Sequence, residues 1–201
     1  MKTLVIATRN KGKIAEIARI LTFDSSIQIR SVADFDIADI EETGSTFEEN
    51  ALLKAHTVAR ATGFAALADD SGLEVDALGG TPGINSARYC GTHGDDLANN
   101  EKLLKELTGK ASSLRTARFV AVIAVAKPGG STITARGELA GEIALSSRGA
   151  NGFGYDPVFI PTGSTKTLGE FEPGRKDEIS HRAKALAEIA PRIPTFLSGS
   201  E

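Results

Sequence analysis

The chain has 201 residues, of which 41% are hydrophobic and 24% are charged, with a formal net charge of −3. This length favours a single domain, and the apolar content is sufficient for a sizeable core. The small negative charge argues against a nucleic-acid-binding protein, which usually carries a clear basic excess. A local cluster of lysines could still hold a small phosphate-rich substrate.

Sequence features that would place the chain in a membrane or an oxidising compartment are missing. Cys90 is the single cysteine, so no intramolecular disulfide can form. The N-terminus lacks the apolar region and cleavage site of a signal peptide. No run of about 18 apolar residues is present to span a bilayer. We therefore expect a soluble cytoplasmic protein without membrane or direct nucleic-acid partners.

The N-terminal segment predicts the opening of an α/β fold. Residues 3–7 form a short apolar run typical of a strand, and residues 8–13 form a polar turn. Apolar residues then recur at helical spacing as far as Leu21, and residues 27–32 alternate like a second strand.

A second helix is predicted after an acidic, irregular segment at residues 34–44. Two overlapping capping-box candidates occupy residues 45–49, and one apolar helical face continues to about residue 62. Gly63 is a plausible helix end. Residues 65–68 then predict a short buried strand that leads into a pair of aspartates.

The remaining chain predicts a loop at residues 79–94, a helix at 95–107 and a hairpin at 115–145. A glycine-rich loop at 149–156, a strand at 157–160 and a last helix at 178–190 follow. The hairpin strands, 115–126 and 131–145, flank a Pro-Gly-Gly turn. We expect these two strands to form a lobe apart from the N-terminal unit, with a cleft between the lobes.

Five segments carry side chains suited to chemistry, and the first is the turn after the first strand. A helix N-terminus offers free N–H groups and a positive dipole end, so anions bind there readily. The segment matches neither a P-loop nor a dinucleotide fingerprint, and its alternative interpretation is a solvated basic turn. Its candidate phosphate ligands are Thr8, Arg9, Asn10, Lys11, Gly12 and Lys13.

The second segment is Asp69-Asp70-Ser71-Gly72 at the end of the predicted short strand. Adjacent residues of an extended strand point to opposite faces, so only one aspartate can face a given cleft. Mg²⁺ takes oxygen ligands and keeps several waters, so one or two carboxylates with substrate phosphates suffice to bind it. The alternative interpretation is an Asx-turn that ends the strand.

The third segment is the acidic stretch Glu41-Glu42-Thr43-Gly44, just before the second helix. Its ordinary interpretation is negative charge that complements the helix dipole. Lys54 lies two turns into that helix, where a lysine is ordinarily a surface residue.

The last two segments carry aromatic and basic side chains. In residues 152–156 (GFGYD), glycines beside aromatic rings allow close approach to a flat ligand, although two core-edge aromatics in a turn are the alternative. Lys176 with Ser180-His181-Arg182 could donate hydrogen bonds to a base carbonyl, although a lone histidine is more often structural. The three histidines and one cysteine show no zinc-ligand spacing.

Together these segments resemble the inosine triphosphate pyrophosphatases, also called dITP/XTP pyrophosphatases. The matching words are ATRNKGK, EETGSTFEENALLKA, ADDSGLEVDALGGTPGINSARY, NGFGYDPVF and KDEISHRAKAL. They run in the family's order, and the resemblance as a whole covers residues 3 to about 190. The resemblance implies one domain over residues 1–201 with an elongated, two-lobed α/β fold: a mixed sheet flanked by helices, with the active-site cleft between the lobes. It also implies a homodimer.

By this resemblance the protein uses Mg²⁺ to hydrolyse ITP, dITP and XTP to a monophosphate and pyrophosphate. Asp70 is then the general base and a metal ligand, and Glu42 is the second ligand, with Glu41 as the near alternative. The implied substrate-binding residues are those of the turn at 8–13 together with Lys54, Ser71, Phe153, Gly154, Tyr155, Asp156, Lys176, His181 and Arg182.

Two positions depart from the family pattern. Arg9 stands where many relatives carry a small residue, and Asn151 stands where a second glycine is common. Neither removes a group that the chemistry needs. The alternatives left open are a Maf-like pyrophosphatase acting on other nucleotides, a catalytically silent nucleotide-binding regulator, and a scaffold for protein partners.

Overall fold

A computed structural model describes residues 1–199; the expected domain, 1–201, therefore includes two residues outside the described chain. The strands β1 to β6 are Lys2–Ile6, Ile27–Ser31, Ala65–Val75, Thr116–Ala126, Thr132–Ile143 and Phe159–Pro161. The α-helices α1 to α6 are Lys11–Ile20, Phe47–Thr62, Asp96–Glu106, Pro173–Ile179, His181–Ile189 and Ile193–Ser198.

The six strands form one mixed sheet in the order β2-β1-β3-β4-β5-β6. Strand β1 runs parallel to both neighbours, with Leu4 opposite Ile29 of β2 and Ala65 of β3. Strands β5 and β6 pair antiparallel. Parallel neighbours need long crossover connections, which α1 and α2 supply. The sheet and its helices confirm the predicted α/β class with a mixed sheet.

The chain divides into two compact units. The first contains Met1–Asp70, Ala121–Gly137 and the chain from Arg182 onward. Its core is a cluster of apolar side chains from β1, α1, β3, β4 and α5, among them Leu4, Ile17, Leu67, Ile123 and Leu186. All five are almost completely buried, so this cluster fixes how those elements pack within the unit.

The second unit contains Ser71–Val120 and Glu138–His181. Its core collects apolar side chains from the second half of β3, from α3, from the outer parts of β4 and β5, and from β6, among them Leu73, Leu103, Phe119, Ile143 and Phe159. This core supports the glycine-rich loop that precedes β6.

The predicted hairpin is confirmed as β4 and β5, but the expectation that it forms a lobe of its own is wrong. Both strands are long, with 11 and 12 residues. Their inner parts, such as Ile123 and Ala135, pack in the first core, whereas Phe119 and Leu139 pack in the second. Each strand therefore belongs to both units.

Strand β3 is much longer than the predicted strand at residues 65–68. It continues through the two aspartates to Val75, so Asp69 and Asp70 lie in mid-strand and not at a strand end. The alternative of an Asx-turn at this point is wrong. Asp69 and Asp70 can continue the buried strand because each of their carboxylates is paired with a cationic side chain.

The predicted last helix is two helices separated by Ser180. Helix α4 ends at Ile179, Ser180 is extended with ψ 156°, and α5 begins at His181. Serine competes for backbone hydrogen bonds and is favoured at helix boundaries, which explains the interruption.

Of the two capping-box candidates, the structure uses Thr46 as the cap and not Ser45, and the Glu49 carboxylate accepts a hydrogen bond from the Ser45 N–H at 2.6 Å. The Thr46 hydroxyl accepts a hydrogen bond from the Glu49 N–H at 3.1 Å, and Gly63 ends the helix with φ 70°. Within the described residues, no helix is long and apolar enough to cross a membrane.

Candidate active site

The turn before α1 is shaped by its own side chains. Asn10 caps the helix by accepting a hydrogen bond from the Lys13 N–H at 3.0 Å, and the Thr8 hydroxyl accepts one from the Asn10 N–H at 3.2 Å. Arg9 pairs with Asp39 at 3.0 Å, where the side chains are 46% and 91% exposed. Lys11 is exposed at the start of the helix.

Asp69 is the buried centre of an ion-pair network in the first unit. Its carboxylate lies 2.6 Å from Lys13 Nζ and 2.9 Å from Arg182 Nε. Arg182 also contacts the buried carboxylate of Glu16 on α1. Burial alone would raise the pKa of Asp69, but the attraction of Arg182 and Lys13 outweighs it and holds that pKa far below its ordinary value. Asp69 is therefore a permanent anion that fixes α1 and α5 against β3.

Asp70 belongs to a different group of ion pairs, which is centred on Lys54. Lys54 Nζ lies 2.6 Å from Asp70 Oδ1 and 2.7 Å from Glu42 Oε1, and it donates to the Asp69 carbonyl at 2.9 Å. The prediction that the adjacent aspartates serve different surroundings is confirmed by these separate partners. The alternative interpretation of Lys54 as an ordinary surface lysine is wrong, because its side chain is buried and contacts Asp69 and Asp70 of β3.

The two carboxyls that contact Lys54 differ in proton affinity. Burial is the largest influence on Asp70 and raises its pKa to about 6, against the attraction of Lys54. Burial also acts on Glu42, but Lys54 and a hydrogen bond with Asp70 keep the pKa of Glu42 below its ordinary value. A proton added to this pair therefore resides on Asp70.

Glu42 and Asp70 are the two candidate ligands for a divalent cation. Within residues 1–199, no group of three or more histidine, cysteine, aspartate and glutamate residues is arranged to hold a metal. Two carboxylates nevertheless fit Mg²⁺, which prefers oxygen ligands and completes its shell with water and substrate phosphates. Glu41, the alternative ligand, is exposed.

The loop that carries Glu42 is fastened to α2 by a residue that the sequence analysis missed. The Gly44 N–H donates to Asn50 Oδ1 at 2.8 Å, and Asn50 is fully buried. A Cβ at Gly44 would lie 2.6 Å from that oxygen, so the close approach requires glycine. Asn50 lies four residues before Lys54, so the two residues share one helix face. That spacing was the sequence signal that Asn50 lies on the same side of α2 as Lys54.

The aromatic loop of the second unit surrounds another buried ion pair. Asp156 Oδ2 lies 2.5 Å from Lys176 Nζ and accepts a hydrogen bond from the Phe153 N–H at 2.8 Å. The Lys176 ammonium lies 4.5 Å from the centroid of the Phe153 ring. Gly152 has φ 79°, and a Cβ there would lie 2.0 Å from Asp156 Oδ2. The structure thus brings together Phe153, Asp156 and Lys176, which the sequence analysis named in two separate segments.

Other predicted binding residues of the second unit are built into its framework. Tyr155 is buried, and its hydroxyl donates to the Ser86 carbonyl at 2.9 Å. Burial raises the pKa of Tyr155, so this hydroxyl stays protonated. The buried ring of His181 stacks on Phe119 with 4.7 Å between centroids. Ser71 follows Asp70 on β3 and is partly exposed.

The sequence model of the Ham1 family matches residues 4–192, which is nearly the whole length of the chain. The chain belongs to the Ham1 family. A Geobacter sulfurreducens protein named dITP/XTP pyrophosphatase is 52% identical, covering 96% of this chain and 97% of its own. A Bacillus licheniformis protein of the same name is 48% identical, with coverages of 94% and 97%.

A solved structure shows that this Ham1 chain also has the family's fold. The HAM1 protein from Coxiella burnetii is 41% identical and superposes with a TM-score of 0.88, covering 97% of this chain and all of that one. The resemblance stated from the sequence is confirmed. The Maf-like alternative is not supported by these relatives.

Removing the negative charge of Asp69 tests the buried network. We expect Asp69→Asn to lower the free energy of unfolding by about 3 kcal/mol, because it leaves the buried Arg182 and the partly buried Lys13 without their shared anion. Urea denaturation measures this loss.

The matched control is Asp39→Asn, which breaks an exposed ion pair and should cost less than about 1 kcal/mol. Equal losses in the two variants would contradict the central place given to Asp69.

Proposed function

We propose that this chain hydrolyses non-standard purine nucleoside triphosphates (ITP, dITP and XTP) to the monophosphate and pyrophosphate. Near full-length relatives at 48% and 52% identity that carry the name dITP/XTP pyrophosphatase support this assignment. The observation in the structure that carries it is Lys54 holding Asp70 and Glu42 together beside β3. Such an enzyme removes these nucleotides from the pool before they enter DNA or RNA.

We propose Glu42 and Asp70 as the ligands of a Mg²⁺ ion, since their carboxylates suit a hard cation. When bound, the ion supplies positive charge that offsets the charge of the phosphates. Lys13 and Lys54 add further cationic groups, and the N-terminus of α1 at residues 8–13 presents N–H groups to an anion.

Asp70 is the proposed general base. Cleavage between the α- and β-phosphates needs a positioned water, a proton acceptor and neutralisation of the leaving pyrophosphate. Burial increases the proton affinity of Asp70, which suits a carboxylate that accepts a proton from water. Lys54 Nζ at 2.6 Å holds the carboxylate in place.

The proposed base-binding residues are Phe153, Gly154, Tyr155, Asp156, Lys176, His181 and Arg182. Phe153 is suited to stacking on a purine, and the Lys176 ammonium lies 4.5 Å from the centroid of its ring. A donor aimed at a 6-oxo group would face the amino group of adenine and leave buried groups unpaired, which disfavours ATP. The Arg182 guanidinium is bonded to Asp69 and Glu16, so its contribution includes holding β3.

We further propose, on the family resemblance, that the enzyme is a cytoplasmic homodimer. The absence of a membrane-spanning helix among the described residues is compatible with this location. Sedimentation of the purified protein tests the dimer.

A substrate panel tests the proposed function. Pyrophosphate release is measured with ITP, dITP, XTP, ATP, dUTP and dTTP, each with and without Mg²⁺. We expect kcat/KM for the three non-standard purines to exceed that for ATP at least about 100-fold, because polar mismatch excludes adenine.

Each other outcome points to an alternative. Preference for the pyrimidines would favour a Maf-like enzyme. Nucleotide binding without turnover would favour a silent regulator, and neither binding nor turnover would favour a scaffold.

Replacing the proposed base should separate chemistry from binding. We expect Asp70→Asn to lower kcat by about 100-fold or more, the scale of general-base catalysis. Nucleotide affinity, measured by calorimetry, should be largely kept. Undiminished turnover in this variant would refute the assigned role.

A pair of neighbouring variants tests the metal ligands. We expect Glu42→Gln to raise the Mg²⁺ concentration for half-maximal activity at least about tenfold, because it removes one of two carboxylate ligands. Glu41→Gln changes the same charge at an exposed position and should leave the Mg²⁺ requirement unchanged. The reverse result would assign the ligand to Glu41.

A further inference from the structure

Helix α3 holds the main chain next to Phe153 through two side chains. Asp96 Oδ2 accepts a hydrogen bond from the Gly154 N–H at 2.7 Å. Asn100 Nδ2 donates to the Gly154 carbonyl at 2.9 Å. Asp96 and Asn100 are four residues apart, so they project from one face of the helix and contact both polar groups of a single residue.

The aromatic loop needs support of this kind because it has few side chains of its own. Gly152 and Gly154 both have positive φ, at 79° and 61°. Glycine carries no side chain to anchor such a segment and leaves its backbone freer than any other residue does. Beside the ring, Asp156 accepts a hydrogen bond from the Phe153 N–H, and the Lys176 ammonium lies 4.5 Å from the ring centroid. Helix α3 fixes the chain on the other side of Phe153.

The contact with Gly154 uses only one of the two polar atoms of the Asn100 amide. Asn100 is buried, and its Oδ1 has no hydrogen-bond partner within the described chain. A buried polar atom without a partner is unfavourable, so an apolar residue would suit the packing of α3 better. The amide donor contacts Gly154, which indicates a role for Asn100 beyond packing.

We propose that Asp96 and Asn100 are positioning residues that set the plane of the Phe153 ring for stacking on the purine. This inference rests on the proposed function, and it extends the base-binding site to a helix that carries none of the family-like motifs. Both residues act through the Gly154 peptide without touching the substrate.

The test compares a ligand that has a base with one that lacks it. We expect Asp96→Ala and Asn100→Ala to raise KM for dITP about tenfold, within the range of one weakened base–aromatic stack, with kcat nearly unchanged. The inhibition constant of inorganic tripolyphosphate should stay at the wild-type value, since that ligand has no base. Asp96→Asn keeps an acceptor oxygen and should restore most of the affinity for dITP.

The matched control is Asp95→Ala on the same helix. Asp95 caps α3 by accepting from the Ala98 N–H at 3.0 Å, so its loss lowers the melting temperature without touching Gly154. KM for dITP should remain that of the wild type in this control.

A spectroscopic measurement reports on the ring itself. The chain has no tryptophan, so Phe153→Trp places the one tryptophan of the variant at the stacking position, where it can be excited apart from the two tyrosines. Quenching by dITP, added without Mg²⁺, should be strong in that variant and weaker when Asp96→Ala is added.

Three results would overturn the positioning role: an unchanged KM, an equal loss of tripolyphosphate binding, or the same KM shift in Asp95→Ala. A wild-type protein that releases no pyrophosphate from dITP would instead overturn the proposed function. If the wild type releases pyrophosphate from dITP and the Asp96→Ala and Asn100→Ala variants keep its KM, the positioning role alone is overturned.

Discussion

Two adjacent carboxylates lie buried in the middle of β3, and the first unit is organised around the need to compensate them. A carboxylate removed from water is costly unless a cation accompanies it. Asp69 is paired with Lys13 of α1 and Arg182 of α5, and Asp70 with Lys54 of α2. Each cation comes from a different helix. The ion pairs that offset the cost of burying the two aspartates therefore also fix three helices against one strand.

The neighbouring aspartates differ in proton affinity because their partners differ. Asp69 contacts two cations and remains ionised, whereas Asp70 shares Lys54 with the carboxyl of Glu42 and has a raised pKa. Titratable neighbours whose surroundings separate their pKa values often divide structural and chemical work between them. Asp69 holds the scaffold, and Asp70 is left as the group whose proton can move.

Local patterns predicted those parts of the molecule that local interactions decide. The cap at Thr46, the end of α2 at Gly63 and the hairpin strands follow from nearby side chains and turn chemistry. Tertiary partners decided the rest. The polar residues after Ala68 have the local pattern of a turn, and only their cationic partners on distant helices explain why they continue a strand. Asp96 and Asn100 have the pattern of ordinary polar helix residues, and only the tertiary structure shows their contacts with Gly154.

The position of Lys54 has a consequence for how the protein is made. In many small metalloproteins the ligands repel one another until the ion arrives, so folding waits for metal. Here one ammonium group already lies between Glu42 and Asp70 and offsets half of their combined charge. If Glu42 and Asp70 hold a metal ion as proposed, Lys54 compensates part of their charge before the ion binds, so we expect the chain to fold without it.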